Sequence, residues 1–364
     1  MTIAPFTIDE PAIPEAPGAA GWADFGAATA VRNDVEAEAY GTRDLALSTE
    51  EILPYWLNQE YSPARMLVAR VDGKIVARGV YETLPGPDCD VAWLEVEVLP
   101  AFRRRGIGTA LADRVESIAA QEGRVRALVY VVSREAPGDR LPAPTGSGSV
   151  PLINPEVRFL LARGYTLEQV YRGSRLALPL DDRELARHLD SAAQASGPEY
   201  AVHRWTDRTP ERWLDDMALL RTRMSTDAPS AGLEEPENAW TAERVVVEEE
   251  AFAAGPRTAL TAVVEHLPSG RLAGFTELAV PAEASRAVHQ QDTLVLKEHR
   301  GHRLGMLLKV ANLQVLEAER PGHPSVITFN AEENRHMLDV NEALGFVPIG
   351  YEGAWKRVGP GPAP

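Results

Sequence analysis

Alternating apolar and polar positions in "ARMLVARVDG" and "KIVARGVYETL" predict a β-hairpin that turns at Asp72-Gly73. A further strand follows in "VAWLEVEVLP" and stops at Pro100. The period then changes to a helical one. Ile107, Leu111, Val115, Ile118 and Ala119 form one stripe, which Gly123 closes. "RVRALVYVV" reads as a buried strand, "NPEVRFLLARG" as a short helix, and a last strand starts at Tyr165.

The second half of the chain repeats that order. "RTALTAVVEHL" and "RLAGFTELAV" predict a hairpin about Ser269-Gly270, and "HQQDTLVL" a third strand. "LGMLLKVANLQVLEAE" predicts a helix, "PSVITF" a strand, "ENRHMLDVNEALG" a helix and "FVPIGYEGAWKRV" a closing pair of strands. A helix opens each series, "AATAVRNDVEAEAY" in one and "ERWLDDMALLRTRM" in the other. A repeat this long means duplicated domains and not a solenoid. We therefore expect an N-terminal domain over 1–180, a helix and linker over 181–199 and a C-terminal domain over 200–358. The fold class is α/β (α+β), each half a mixed, mostly antiparallel sheet flanked by helices. "REAPGDRLPAPTGSGSVP" in the first half is too rich in Pro, Gly and Ser to predict regular structure.

Composition narrows the function classes. The net charge of −16 argues against nucleic acid or an anionic membrane as partner, and suits a cationic small molecule. No apolar run reaches the roughly 18 residues of a membrane span, and the N-terminus has no signal-peptide pattern, so we expect a cytoplasmic protein, monomeric or homodimeric. Cys89 is the single cysteine, which excludes an intrachain disulfide and a cysteine-based zinc cluster. His299 and His302 lack partners in ligand register, and no metal is expected. Lys74, Lys297, Lys309 and Lys356 are the only lysines; arginine supplies the rest of the positive charge, a bias typical of GC-rich, actinobacterial genomes.

The repeated strand–loop–helix junction carries the chemistry. It reads "FRRRGIG" at Phe102–Gly108 and "HRGHRLG" at His299–Gly305. Backbone N–H groups at such a helix start make an anion site that fits a pyrophosphate, and arginines add charge. Neither loop gives G-x-G-x-x-G, and hairpins precede both, so a dinucleotide-binding βαβ unit is disfavoured.

Arg103-Arg104-Arg105-Gly106-Ile107-Gly108 matches the signature loop of the GNAT superfamily of acyl-CoA-dependent N-acyltransferases, which the chain resembles. Arg300-Gly301-His302-Arg303-Leu304-Gly305 matches with Arg303 in the first glycine position. The later motif, an Asn opening a helix that ends in Gly-Phe, recurs as Asn334 through Gly345-Phe346, and more loosely as Asn154 through Gly164-Tyr165. Both halves are covered, as in tandem GNAT proteins, the group that includes mycothiol synthase-like enzymes.

The resemblance implies two tandem GNAT folds, with acetyl-CoA or another acyl-CoA as co-substrate and a small-molecule amine as acceptor. It implies that the pyrophosphate is held by Arg103, Arg104, Arg105, Gly106, Ile107, Gly108 and Thr109, or by Arg300, Gly301, His302, Arg303, Leu304, Gly305 and Met306. Val98, Val295 and Asn334 complete the implied coenzyme contacts, and the thioester lies in a cleft splayed between the fourth and fifth strands. The amine attacks directly, which needs a base and a donor to the thioester oxygen. Glu95 and Asp292 sit at the same offset from the loop arginine, and Glu97 shares a strand face with Glu95. Asp227 and Asn330 are candidate acceptor contacts. The family's usual acid, a tyrosine, is replaced by Asn341 and Leu160, leaving Asn341, Tyr130 or water for that role.

Polar "TFNAEEN" and "NEALGF" favour the second half as the catalytic one, despite Arg303. The competing reading is a non-catalytic acyl-CoA-binding sensor or scaffold, which the missing tyrosines favour and the acidic strand residues oppose.

Overall fold

The computed structural model describes residues 5–86 and 89–359. The chain divides into two units. Unit 1 runs to Arg172 and also holds Ser230–Glu235 and the chain from Gly350. Unit 2 holds Gly173–Pro229 and Pro236–Ile349.

Unit 1 contains β1 (Thr7–Asp9), α1 (Trp22–Tyr40), α2 (Thr49–Leu57), β2 (Ala64–Val71), β3 (Lys74–Glu82), β4 (Val91–Val98), α3 (Ile107–Gln121) and β5 (Arg126–Ser133). A short hairpin, β6 (Arg140–Pro142) and β7 (Ser149–Pro151), is followed by α4 (Pro155–Ala162) and β8 (Thr166–Ala177), which leaves the unit after Arg172. The predicted turn holds: Asp72 and Gly73 both have positive φ, as a two-residue hairpin requires. α3 turns its stripe of Ile107, Leu111, Val115 and Ile118 into a core with Leu67, Ala69, Tyr81 and Leu94. β1 to β4 are antiparallel neighbours, whereas β4 and β5 are parallel, because α3 carries the chain back across the sheet.

Unit 2 contains α5 (Asp182–Ser196), β9 (Tyr200–Thr206), α6 (Leu214–Asp227), α7 (Ala242–Ala253), β10 (Arg257–His266), β11 (Arg271–Pro281), β12 (Val288–Val295), α8 (Leu304–Glu319), β13 (Ser325–Ala331) and α9 (Arg335–Ala343). Its strands run in the order β9-β10-β11-β12-β13, with the end of β8 beside β13. The last strand of the chain, β14 (Val347–Val358), pairs along β5 from Tyr351↔Ser133 to Val358↔Arg126 and so closes the sheet of unit 1. Each unit is completed by a strand from the other half of the sequence.

Three expectations need revising. The Pro/Gly/Ser-rich insertion is not without structure, since Arg140↔Pro151 and Pro142↔Ser149 register a hairpin. "FVPIGYEGAWKRV" is one strand and not two. Its glycines look like a turn but serve close approach: a Cβ at Gly353 would lie 2.5 Å from the Trp355 ring, and one at Gly350 would lie 2.7 Å from Tyr40. The helix expected in 181–199 forms as α5, but it packs as part of unit 2 and not as a linker, since its Leu185 and Ala192 lie in one core with Leu304, Leu307 and Leu308. Contacts divide the chain at Arg172 and not in that stretch.

Trp355 is fully buried in the core that includes Leu94, Leu111 and Leu167. Trp355→Ala is expected to cost unit 1 about 3–5 kcal/mol. Hydrogen exchange checks this: amides of β4 and β5 should lose protection while those of β10 and β11 keep it.

Candidate active site

The two junctions share one backbone geometry. A 3-10 turn, Pro100–Phe102 in one and Lys297–His299 in the other, leads to an extended arginine. Arg103 donates its Nε–H to the Val98 carbonyl at 2.9 Å, and Arg300 does the same to Val295 at 3.1 Å. Two positions then have positive φ, Arg104 and Gly106 in unit 1 and Gly301 and Arg303 in unit 2. Each loop thus has one glycine and one arginine at its left-handed positions, in exchanged order. A Cβ at Gly106 or Gly301 would meet nothing within 4 Å, so space does not forbid a side chain there. The cost is the left-handed backbone alone, roughly 1–2 kcal/mol. Arg303 points its side chain away to Ser191 Oγ at 3.0 Å, leaving the loop backbone open. The first N–H groups of α3 and α8 have no acceptor within their own helices and suit an anion.

Beyond the loops, both central ladders open. β4 pairs with β5 only over Val91↔Arg126, Ala92↔Ala127 and Trp93↔Leu128. β12 pairs with β13 only at Val288↔Val326 and His289↔Ile327. From Leu94 onward β4 therefore borders a gap, with Leu94 and Val96 on one face and Glu95 and Glu97 on the other.

On the first face of unit 1 lies an apolar slot of about 80 Å³. Leu94 and Val96 of β4, Ala112 and Val115 of α3, Val129 and Val131 of β5, Phe159 and Leu160 of α4, and Tyr165 line it, with Glu116, Glu156 and Arg163 as its charged members.

The opposite face is acidic. Arg78 of β3, 4% exposed, donates to Glu95 Oε2 at 2.7 Å and also bonds Glu97. Glu36 of α1, Glu82 of β3 and Glu352 of β14 add three more carboxylates. Burial pushes Glu36 up to about 8, with Glu97, Glu95 and Glu352 adding to the rise and Arg32 opposing it. Glu82 rises to about 6, again through burial first. Glu95 is raised by the protein mass around it, against the pull of Arg78, although half of its side chain remains open to solvent. Tyr40 donates to Glu352, and Arg32 to Glu36 at 2.8 Å.

Unit 2 is built differently at the same places. Burial raises Asp292, opposed by Arg221 and helped by Glu277. Arg221 itself is committed to Glu277 at 2.9 Å. Asn341 is 1% exposed; it donates to Asn330 Oδ1 at 2.7 Å and accepts from Lys309 Nζ at 2.9 Å. Asp227, expected at the acceptor side, lies in ion pairs with Lys297 at 3.2 Å and Arg300 at 3.6 Å. Asn334 caps α9 by accepting from the Met337 N–H at 3.4 Å. Leu304 and Met306 are buried in the core of unit 2, which leaves only their backbone for a coenzyme. His299 meets Tyr200 edge-on and His302 lies tilted against it, and Tyr200 shares a hydrogen bond with His299 Nδ1 at 2.9 Å. In unit 1 Tyr130 donates its hydroxyl to Glu235, and burial raises its pKa.

Sequence reasoning missed Arg78, Glu36, Glu82 and Glu352. Arg78 had a signal, a charge inside the apolar run of "KIVARGVYE". Glu352 had none, since β14 joins unit 1 only in three dimensions.

A mixed sheet with one opened parallel pair, and a glycine–arginine loop facing the gap, defines an acyltransferase-type fold. Residues 31–137, all in unit 1, match the model of the Acetyltransferase (GNAT) family. A tandem GNAT protein from the clavulanic acid biosynthesis pathway is 23% identical, with a TM-score of 0.73 over 99% of this chain and 100% of that one. A GCN5-related N-acetyltransferase from Sphaerobacter thermophilus is 17% identical, with a TM-score of 0.58 over 99% of this chain and 98% of that one. No curated protein sequence matches the chain. Residues 31–137 thus match the GNAT family model, and the chain has the fold of a tandem GNAT protein throughout. No helix among the described residues is long and apolar enough to cross a membrane.

The raised Glu36 pKa gives a pH test. Below about 4.5 its proton is bound in both folded and unfolded states. As pH rises from there to about 8 only the folded state keeps it, so stability falls across that window. Glu36→Gln is expected to match wild type near pH 5 and to exceed it in unfolding temperature at pH 8. Parallel curves for the two proteins would contradict this.

Proposed function

We propose that the chain transfers an acetyl group from acetyl-CoA to the amine of a small, cationic molecule, and that unit 1 does the chemistry. The observation that carries this is the opened end of β4. It borders an apolar slot on one face and carries Glu95, whose carboxyl is raised in pKa, on the other. The slot suits the thioester arm, and the carboxylate face suits an ammonium. Glu95, kept half open to solvent, takes the proton from that ammonium, and the free amine attacks the thioester carbon. Backbone N–H groups of β4 beyond Trp93 that point away from the β3 ladder are the available donors to the carbonyl oxygen as it gains charge. The carbon–sulfur bond then breaks, and the surplus proton of the attacking nitrogen passes through water to the departing thiolate, whose thiol pKa near 8.5 makes a tyrosine unnecessary. The positions expected to carry that tyrosine support this reading: Leu160 only lines the slot, and Asn341 is buried and already bonded.

This assignment departs from the expectation that the second half is catalytic. Glu97 and Arg78 act as positioning groups for Glu95, and Arg103 to Thr109 hold the pyrophosphate. Glu95→Gln is expected to lower kcat/KM by a factor of about 10² or more. Asp292→Asn should change it by less than about threefold. A panel of amines with acetyl-CoA measures both. Equal losses in the two variants would remove the assignment, and no turnover with any amine would leave an acyl-CoA-binding sensor.

A further inference from the structure

The slot of unit 1 has a counterpart in unit 2 that can be located residue by residue. Counting from Arg103 and Arg300, Ala112 on α3 corresponds to Lys309 on α8. Counting back from Gly164 and Gly345, Leu160 corresponds to Asn341, and Tyr165 to Phe346. In unit 1, Ala112, Leu160 and Tyr165 line the slot, and the side chain of Ala112 is too short to cross it. In unit 2 the longer side chain at the first position reaches the other two. Lys309 Nζ lies 2.9 Å from Asn341 Oδ1 and 5.6 Å from the centre of the Phe346 ring. Lys309, Asn341 and Phe346 are 2%, 1% and 5% exposed.

A lysine does not enter such a place without cause. An ammonium loses its water there, and the amide oxygen and the ring face replace only part of it. Burial accordingly lowers its pKa to about 7. It lies on a helix most of whose residues are buried, Leu307, Leu308 and Val310 among them. Nothing in the packing of α8 calls for a charge, since alanine fills the same place in α3.

We infer that Lys309 closes unit 2 to the acyl-pantetheine arm, so that the chain takes up one acyl-CoA, in the slot of unit 1. This rests on the acyl-CoA reading proposed above. The four methylenes of Lys309 occupy the place where the arm would run, and the bond to Asn341 fixes them there. Unit 2 keeps a formed loop at Arg300–Gly305, but an anion site without room for the arm does not hold a thioester. Lys309 is then a specificity residue by exclusion, a role that Asn341 and Phe346 share by holding it in place.

Titration calorimetry of the full chain with acetyl-CoA tests this. Wild type should bind one equivalent. Lys309→Ala, which empties the place, should bind two, the second more weakly. Lys309→Met, which keeps the bulk and drops the charge, should stay at one. In unit 1, Ala112→Leu should weaken the single site at least tenfold. It fills the slot without introducing an ammonium that Leu160 could not bond, and thermal unfolding should confirm that it remains folded. Two equivalents in wild type, one in Lys309→Ala, or undiminished affinity in Ala112→Leu would each overturn the inference. Binding without turnover on any amine would remove the proposed reaction and leave this inference standing. No binding by any variant would remove both.

Discussion

The β4–β5 ladder holds for three residue pairs and then opens, and most of what unit 1 offers follows from that. A continued parallel ladder would use the β4 backbone for hydrogen bonds to β5 and bring the two strands to ordinary spacing. With the ladder ended, Leu94 and Val96 have a slot between them and Val129 and Val131. The strand's alternation sends Glu95 and Glu97 to the other side. One strand therefore presents two chemically opposite faces at a single gap. The helix that starts at Ile107 follows at once, so its free N–H groups lie just beyond the same strand end.

Electrostatics on the acidic face is a balance between burial and two arginines. Five carboxylates come from four elements, and Arg78 and Arg32 neutralise only part of them. Desolvation wins at Glu36, whose pKa reaches about 8, because one of its oxygens is buried without a hydrogen-bond partner. Such a set is costly to assemble and stores a preference for a bound cation or a bound proton. Unit 2 pairs some of its charges, Arg221 with Glu277 and Arg271 with Asp216 at 2.5 Å, while burial raises Asp292. Lys309 has only an amide oxygen and a ring to hold its ammonium.

Strand exchange gives the duplication a mechanical meaning. β14 covers the edge of β5 and brings both Trp355 to the core and Glu352 to the acidic face of unit 1. Unit 2 in turn receives the end of β8 beside β13. An uncovered edge strand is a template for mispairing, and the exchange removes that hazard for β5. It also means that neither half of the sequence corresponds to an independent unit.

The sequence by itself determined the duplicated order of elements, the Asp72-Gly73 hairpin and both helix-opening loops. Those are local properties, set by periods of two and 3.6 and by a few glycines and arginines. It also singled out Glu95 and Asp292, because offsets within one strand–loop segment survive folding. Tertiary structure decided the remainder. Which strand closes which sheet depends on pairing between residues more than two hundred positions apart, and no local pattern encodes it. The carboxylate set around Arg78 is likewise assembled from α1, β3, β4 and β14, so its shifted acidities exist only after burial. Arg303, which looked like a defect in the second loop, turned out to share the left-handed positions with Gly301, a balance visible only in the backbone angles. Lys309 reads in sequence as one polar residue in an apolar helix; only the packing of Asn341 and Phe346 against it shows what space it fills.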